Sequence, residues 1–277
     1  DVSVSTGETF SNETGDVSLF FTDKNPRTLT ISGVFPNYKM SQLNANAIST
    51  IGIIAWGNQQ WRSMYQTFYK ASNITSFASD LPDLSIVTSL HDCFNQANIL
   101  VANNIGDWDV SNVETIRSVF FLSNMANIDI TNWNVSNVTN FRTAFSLSTG
   151  LGSTSPTDLT GWDVGSGSSF QQTFQNASDF NQDISSWIVS NVINMNGMLD
   201  NVSAFDQDLS NWNILNITDG FDFLNNTGLS TANYDSTLIS WAAQNPTNNV
   251  VINFGSSQYT SGGAAEAART SLINSGW

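Results

Sequence analysis

The chain has 277 residues and a formal net charge of −15, with 23 acidic residues against 8 basic ones. A phosphate backbone needs a basic surface, so this balance argues against nucleic acid as a partner and disfavours an anionic membrane face. One cysteine, Cys93, and one histidine, His91, exclude an intrachain disulfide framework, a multi-cysteine zinc site and most histidine metal sites.

The length allows one or two domains with a sizeable core. Hydrophobic content of 40%, with nine Trp and eighteen Phe, argues against disorder. No apolar run approaches the ~18–20 residues that span a bilayer. The chain starts at Asp1, with no basic or apolar leader segment, so a processed or excised piece is expected. The low charge and abundant Asn, Ser, Thr and Gly fit an extracellular, cell-surface or virion-surface location.

Residues 1–45 read as a β-rich N-terminal cap. VSVSTG, Asp16 to Thr22 and Thr28 to Phe35 supply short strands around turns. A repeat follows over residues 46–231. The segments from Asp129, Asp183 and Asp208 share D-[IL]-x-x-W-x-[VI]-x-N-[VI]. With the Trp as position zero, anchors fall at Trp56, Pro82, Trp108, Trp133, Trp162, Trp187, Trp212 and Trp241, in steps of 25 to 29 residues.

Each unit repeats the same apolar offsets. In the Trp133 unit these are Ile130, Trp133, Val135, Val138, Phe141 and Phe145. Trp133 and Val135 have the spacing of one strand face. Val138, Phe141 and Phe145 have the spacing of one helix face, and Ser136 or Asn137 precedes them as an N-cap. Each unit therefore reads as a strand, a two-turn helix and a return loop. A single unit cannot bury its apolar face alone, so about seven coils are expected to stack. The expected fold class is an α/β repeat solenoid of leucine-rich-repeat type, with the Trp, Val and Phe positions as internal ladders. Residues 232–277 read as a C-terminal cap: a helix from Tyr234 to Gln244, a strand from Val250 to Phe254 and a helix from Ala264 to Asn274.

The repeat D-[IL]-S-x-W-x-V-S-N-V-x-N-M-x-x-M-[FL] resembles the BspA-type leucine-rich-repeat surface proteins, whose repeats also occur in mycoplasma lipoproteins and in tail or surface proteins of marine phages. TLTISGVFPNYK with WGNQQWRSMYQTFYKASN resembles the family's entry region. ANYDSTLISWAAQN with YTSGGAAEAARTSLINSGW resembles its closing region. Nearly the whole chain is covered. Departures are Pro82 at an anchor, Gly167 where Val is expected, and a Trp133 unit four residues longer than its neighbours. The resemblance implies an exposed role in adhesion, host contact or receptor binding, and it implies no catalytic residue set.

The residues themselves suggest little catalysis. There is no phosphate-binding Gly loop, no H-E-x-x-H and no G-x-S-x-G. His91 and Cys93, two apart on a helix, would not face each other. A glycosidase would need a carboxylate pair, and Asp206 with Asp208 or Asp179 with Asp183 are the candidates. Asp129, Asp158, Asp183 and Asp208 all lie four before the anchor. They read as caps of the turns, with bridging Ca²⁺ as the alternative; no other cofactor is implied.

If the anchor and the second residue after it point inward, their neighbours point outward. That places Asp107, Asp109, Asn132, Asn134, Asp163, Ile188, Asn211 and Asn213 on one face, suited to sugar hydroxyls directly or through calcium. The insert Leu147 to Thr157 is a surface loop or a contact loop. Arg117 and Arg142 share one offset and read as surface charges. Sequons such as Asn73, Asn176 and Asn201 read as by-products of the repeated text.

The leading expectation is a non-enzymatic recognition or adhesion module presenting a rigid polar face to a surface glycan or protein receptor. The rivals are a virion structural protein (a phage tail fibre or decoration protein) or a subunit of another extracellular assembly, either of which would be a homo-oligomer or part of a larger complex, and then a polysaccharide-degrading enzyme.

Overall fold

The computed structural model describes residues 55–277 apart from 59, 72–73, 100–102, 153 and 247–248. It also describes the backbone of short strands before residue 55. Strands β1 (Val2–Val4), β2 (Thr9–Phe10) and β3 (Leu29–Ile31) form an antiparallel sheet in the order β2-β1-β3. Strands β4 (Ile51–Gly52) and β5 (Ile74–Ser76) pair in parallel. The strand expected from Asp16 to Thr22, and Ile53 of the first unit, lie outside the described residues.

The repeat units stack one on the next, but they are not strand–helix coils. This overturns the α/β repeat solenoid. Among the described residues no strand follows Ser76, and the α-helices are α1 (Thr231–Ala243) and α2 (Ala264–Asn274), both after the repeats. The strand expected from Val250 to Phe254 is reduced to one bridge, Gly220 to Ile252.

The reason lies in where the backbone N–H groups go. An α-helix needs each N–H to bond four residues back. Here the N–H groups at positions 10, 12 and 14 leave the unit altogether. In the Trp108 unit, Ser118 N donates to Arg142 O at 2.9 Å, Phe120 N to Ala144 O at 2.9 Å and Leu122 N to Ser146 O at 2.9 Å. The alternate N–H groups bond three residues back: Val119 to Ile116, Phe121 to Ser118 and Ser123 to Phe120. Positions 10 and 14 are left-handed, as at Ser118 (φ 52°) and Leu122 (φ 55°), or Thr143 (φ 52°) and Leu147 (φ 59°). Only in the Trp187 unit is the first of the two a glycine, Gly197. Two left-handed residues four apart cannot belong to a right-handed helix.

The strand expected at the anchor is also a turn. Trp133 N bonds to Ile130 O and Val138 N to Val135 O, each within its unit. Parallel bridges between units occur instead at position 7, joining Ser89, Thr115, Asn140, Ser169, Asn194 and Asp219 in succession, and at position 16, joining Asn98, Asn124 and Thr149.

Burial follows the apolar offsets closely. The anchors from Trp108 to Trp241 are at most 4% exposed, and Val110, Val135, Val164 and Val189 are 1% exposed. At position 12 the rings of Phe68, Phe94, Phe120, Phe145 and Phe174 stack with centroids 4.9, 5.3, 5.9 and 5.4 Å apart. Each buried ring contributes about 1.5–3 kcal/mol by leaving water. Gly167 has a packing reason: a Cβ there would lie 2.6 Å from the Phe170 ring, which itself stacks on Phe141. The two C-terminal helices pack on each other beyond the last unit.

Candidate functional site

The outward row is built by the alternation around each anchor. Asp107, Asp109, Asn132, Asn134, Asp163, Ile188, Asn211 and Asn213 are all exposed, while the anchors and the residues two beyond them are buried. The row rests on turns rather than on the strand face expected for it. Asp109 Oδ1 accepts from Ser111 N (3.1 Å) and Ser111 Oγ (2.6 Å). Asn134 Oδ1 accepts from Ser136 N (3.2 Å) and Oγ (2.7 Å). Asp163 and Asn213 accept from Gly165 N (3.0 Å) and Leu215 N (3.1 Å). Each side chain is thus fixed by one oxygen. The hydroxyl and N–H of Ser111 hold the Asp109 carboxyl below the usual carboxylate range.

The second atom of each group stays available. Among the described residues, Oδ2 of Asp109 and Asp163 and Nδ2 of Asn134 and Asn213 make no hydrogen bond. A pre-positioned acceptor or donor, already stripped of rotamer freedom, binds a partner at lower entropic cost. Ile188, 63% exposed, interrupts the polar row. It lines a shallow depression of about 220 Å³ with Ser186, Asn211 and Asn213, so three of the eight candidates meet there.

An Asn four residues after most anchors ties this face to the preceding unit. Asn112, Asn137, Asn191 and Asn216 donate through Nδ2 to Ser85 O, Ser111 O, Gly165 O and Ser190 O at 2.7–3.0 Å. The Trp162 unit has Ser166 at that position.

The calcium candidates act as turn caps. Oδ1 of Asp129, Asp158, Asp183 and Asp208 accepts from the backbone N–H two residues on, at 2.8–3.0 Å. Thr160 N–H and hydroxyl lower the Asp158 pKa, and Ser185 hydroxyl and N–H lower that of Asp183. Calcium takes 6–8 oxygen ligands. Among the described residues no group of three or more His, Cys, Asp or Glu side chains is arranged to hold a metal ion.

Asp179 and Asp206 of the glycosidase pairs are tied to neighbouring units, although Asp179 Oδ1 is buried without a partner. Asp179 Oδ2 accepts from Gly150 N (2.8 Å) and Leu151 N (3.2 Å). Burial pushes Asp206 up, but bonds from Ser230 N and Asn233 outweigh it and its pKa is lowered. A general acid needs the opposite shift. Burial pushes the Cys93 thiol well up, and His91 lies against Tyr65 and Asp92 instead. The insert Leu147 to Thr157 is partly core, because Ser148, Leu151 and Thr157 are buried.

Sequence reasoning missed a second cavity. It has a volume of about 620 Å³ and lies between the last unit and the two helices, lined by Tyr234, Trp241, Phe254, Tyr259, Arg269 and Trp277 among others. Arg269 sits 5.3 Å over the Tyr259 ring. Burial raises the Tyr234 phenol, partly countered by Arg269. The signal available was Arg269 itself, the only Lys or Arg after Arg142, set in an aromatic closing segment.

Among comparisons with known proteins, the family model described as "Mycoplasma protein of unknown function, DUF285" matches twice, over residues 62–158 and 147–259. No curated protein and no solved structure matches the chain.

Proposed function

The chain belongs to the DUF285 family, described as mycoplasma protein of unknown function, and from that premise we propose that it is a non-enzymatic surface recognition module. It presents its outward Asp/Asn row to a glycan or protein partner outside the cell. The observation that carries this reading is the row itself: exposed side chains, four of them (Asp109, Asn134, Asp163 and Asn213) each fixed by its own turn, with free oxygens and amides at unit spacing. The resemblance of the repeat to BspA-type surface proteins supports an exposed role. The lowered pKa values of Asp109, Asp158, Asp183 and Asp206 support a site without a general acid.

The test is a glycan and polysaccharide binding screen, run with Ca²⁺ and with chelator, on the wild type and on Asp109→Ala/Asn134→Ala. Binding that the double variant loses, with its fold intact, is the expected result. Binding that survives in the double variant would remove the row from the site. Binding lost only with chelator would assign calcium a bridging role.

A second reading, a subunit of a virion or extracellular assembly, is favoured by apolar exposure on the later units. Ile188, Ile193, Phe221 and Val251 are 63%, 51%, 53% and 69% exposed. Exposed apolar surface of this kind marks contact sites. Light scattering over a concentration series separates the two, because an assembly subunit would form multimers on its own.

A further inference from the structure

Position 9 of successive units carries His91, Arg117 and Arg142. The stack forces these three side chains onto adjacent rungs. Asp92 N donates to Arg117 O at 3.1 Å and Ser118 N to Arg142 O at 2.9 Å. Parallel bridges join Ser89 to Thr115 and Thr115 to Asn140, two residues before each. Adjacent strands in such ladders lie about 4.8 Å apart. Like charges placed opposite one another at that spacing are destabilising.

The fold does not ask for cations here. The same position holds Tyr65 in an earlier unit and Gln171 or Asn196 in later ones. Nor does the chain neutralise them. Among the described residues neither guanidinium makes an ion pair or a hydrogen bond, and Arg117 Nε is buried without a partner. Asp92 is engaged by Gln66 Nε2 (3.2 Å), Asn95 Nδ2 (2.7 Å) and His91 (3.5 Å). Glu114, three residues before Arg117, is exposed and pairs with neither. Two uncompensated arginines side by side stand out in a chain of net charge −15 with 8 basic residues.

The groups alongside are donors as well. Ser89 Oγ accepts from His91 N (3.2 Å), Thr115 Oγ1 from Arg117 N (3.3 Å) and Asn140 Oδ1 from Arg142 N (3.0 Å). The oxygen of each is thereby committed, and the hydroxyl hydrogens and the Asn140 amide remain to donate. A strip of two guanidinium forks, two hydroxyls and one amide, all partly exposed, complements a ligand made of acceptors.

We propose that Arg117 and Arg142, with Ser89, Thr115 and Asn140 beside them, form a binding site for an oxyanion, a carboxylate or sulfate borne on a sugar unit. Guanidinium forks bind such groups with paired charge-assisted hydrogen bonds. The acidic remainder of the chain repels a long polyanion but acts weakly on a single charged group, because screening at physiological salt cuts in within about 8 Å. The site is separate from the outward Asp/Asn row, so either can fail without the other.

Titration calorimetry at about 0.15 M ionic strength, where the screening length is about 8 Å, tests it with four probes: glucose 6-sulfate, glucuronate, glucose and sodium sulfate. The charged sugars should bind and glucose should not. Arg117→Gln/Arg142→Gln should weaken that binding at least about tenfold, the loss of roughly one charge-assisted pair. Arg62→Gln/Lys70→Gln, the same loss of two positive charges elsewhere on the surface, should bind as the wild type does. Equal affinity in the double variant, or no binding of any anion by folded wild-type protein, would overturn the site. Sodium sulfate binding without either charged sugar would overturn the sugar-borne assignment and leave a free-anion site. Urea midpoints of both variants establish that the fold survives. A double variant more stable than the wild type would agree with the uncompensated repulsion that motivates the proposal.

Discussion

The rungs from Trp133 to Trp241 differ from the rung at Pro82 in one bond. In the regular rungs each anchor indole donates to the carbonyl three residues before the preceding anchor. Trp133 reaches Ile105 O at 2.8 Å, Trp162 Ile130 O at 3.3 Å, Trp187 Leu159 O at 3.0 Å, Trp212 Ile184 O at 3.0 Å and Trp241 Leu209 O at 2.9 Å. At the irregular rung Pro82 offers no indole, and both Trp56 and Trp108 have buried Nε1 atoms without partners. Their rings meet edge-on instead, with centroids 5.4 Å apart. The stack nevertheless continues through this rung, because Gln66 N still reaches His91 O and Phe68 still stacks on Phe94. The anchor therefore has two separable roles. Its apolar bulk can be supplied by neighbouring rings, whereas its hydrogen bond cannot, and continuity rests on the backbone ladder and the Phe stack.

The largest expected effect tests that separation directly. Trp187→Phe removes the indole N–H and its bond to Leu159 O, which then keeps only the bond from Trp162 N, at a cost of about 0.5–1.5 kcal/mol beyond the lost volume. Trp108→Phe loses similar volume but no bond, and it also relieves an unpaired donor. Urea denaturation of the two variants should show the larger loss at Trp187. A larger loss at Trp108 would mean that ring packing, not the indole bond, decides the anchor.

A second effect is spread over both kinds of rung. Asp83 and Asp109, in the Pro82 and Trp108 units, and Asp158 and Asp183 in regular ones, have pKa values lowered from the usual 3.8 by hydroxyl and N–H bonds within their turns. A carboxylate depressed in the folded state stabilises the fold above its unfolded pKa and loses that contribution as pH falls through the folded value. Thermal midpoints should therefore hold steady down to about pH 4 and drop below it. Asn keeps the accepting oxygen, as Asn134 and Asn213 show. Asp109→Asn/Asp158→Asn/Asp183→Asn should thus flatten the acid drop and lower the neutral-pH midpoint toward the wild type's acid value, because a neutral amide oxygen accepts more weakly than a carboxylate. An unchanged acid drop would place the sensitivity elsewhere.

What the sequence made legible was burial. Apolar offsets state which side chains leave water, and Trp133, Val135, Val138, Phe141 and Phe145 are all buried as that reading requires. The exposed row from Asp107 to Asn213 followed from the same alternation. The backbone conformation was not legible. Three-and-four spacing fits a helix, yet a chain of three-residue turns with left-handed corners puts the same residues inside. Deciding between them requires knowing that Ser118, Phe120 and Leu122 send their N–H groups to the next unit. That information belongs to the stack, not to any one unit. Nothing in Leu122, Thr143 or Leu147 advertises a positive φ, which is ordinarily the province of Gly and Asn. The cavity beside Arg269 was hidden for a related reason: its walls come from the last unit and both helices, far apart in sequence.

The smallest effect addresses those corners. Leu147 holds φ 59° and is 39% exposed, so its side chain gives up contacts while its backbone is strained. A left-handed L-residue costs about 1–2 kcal/mol, and a glycine gives back about 0.5–1 kcal/mol of that in extra unfolded-state freedom. Leu147→Gly should therefore stabilise the protein by about 0.5 kcal/mol, read as a higher urea midpoint. Gly197, at the other left-handed corner in a later unit, offers the reverse experiment. Gly197→Ala places a Cβ 3.3 Å from Gln172 Cγ on a backbone of φ 59°, and should destabilise by a similar amount. If both substitutions destabilise, the Leu147 side chain contributes more packing than its exposure suggests. If the signs are opposite, the inter-unit bonds hold the left-handed corners open against the preference of the residues that occupy them. The stack would then determine the conformation of the unit.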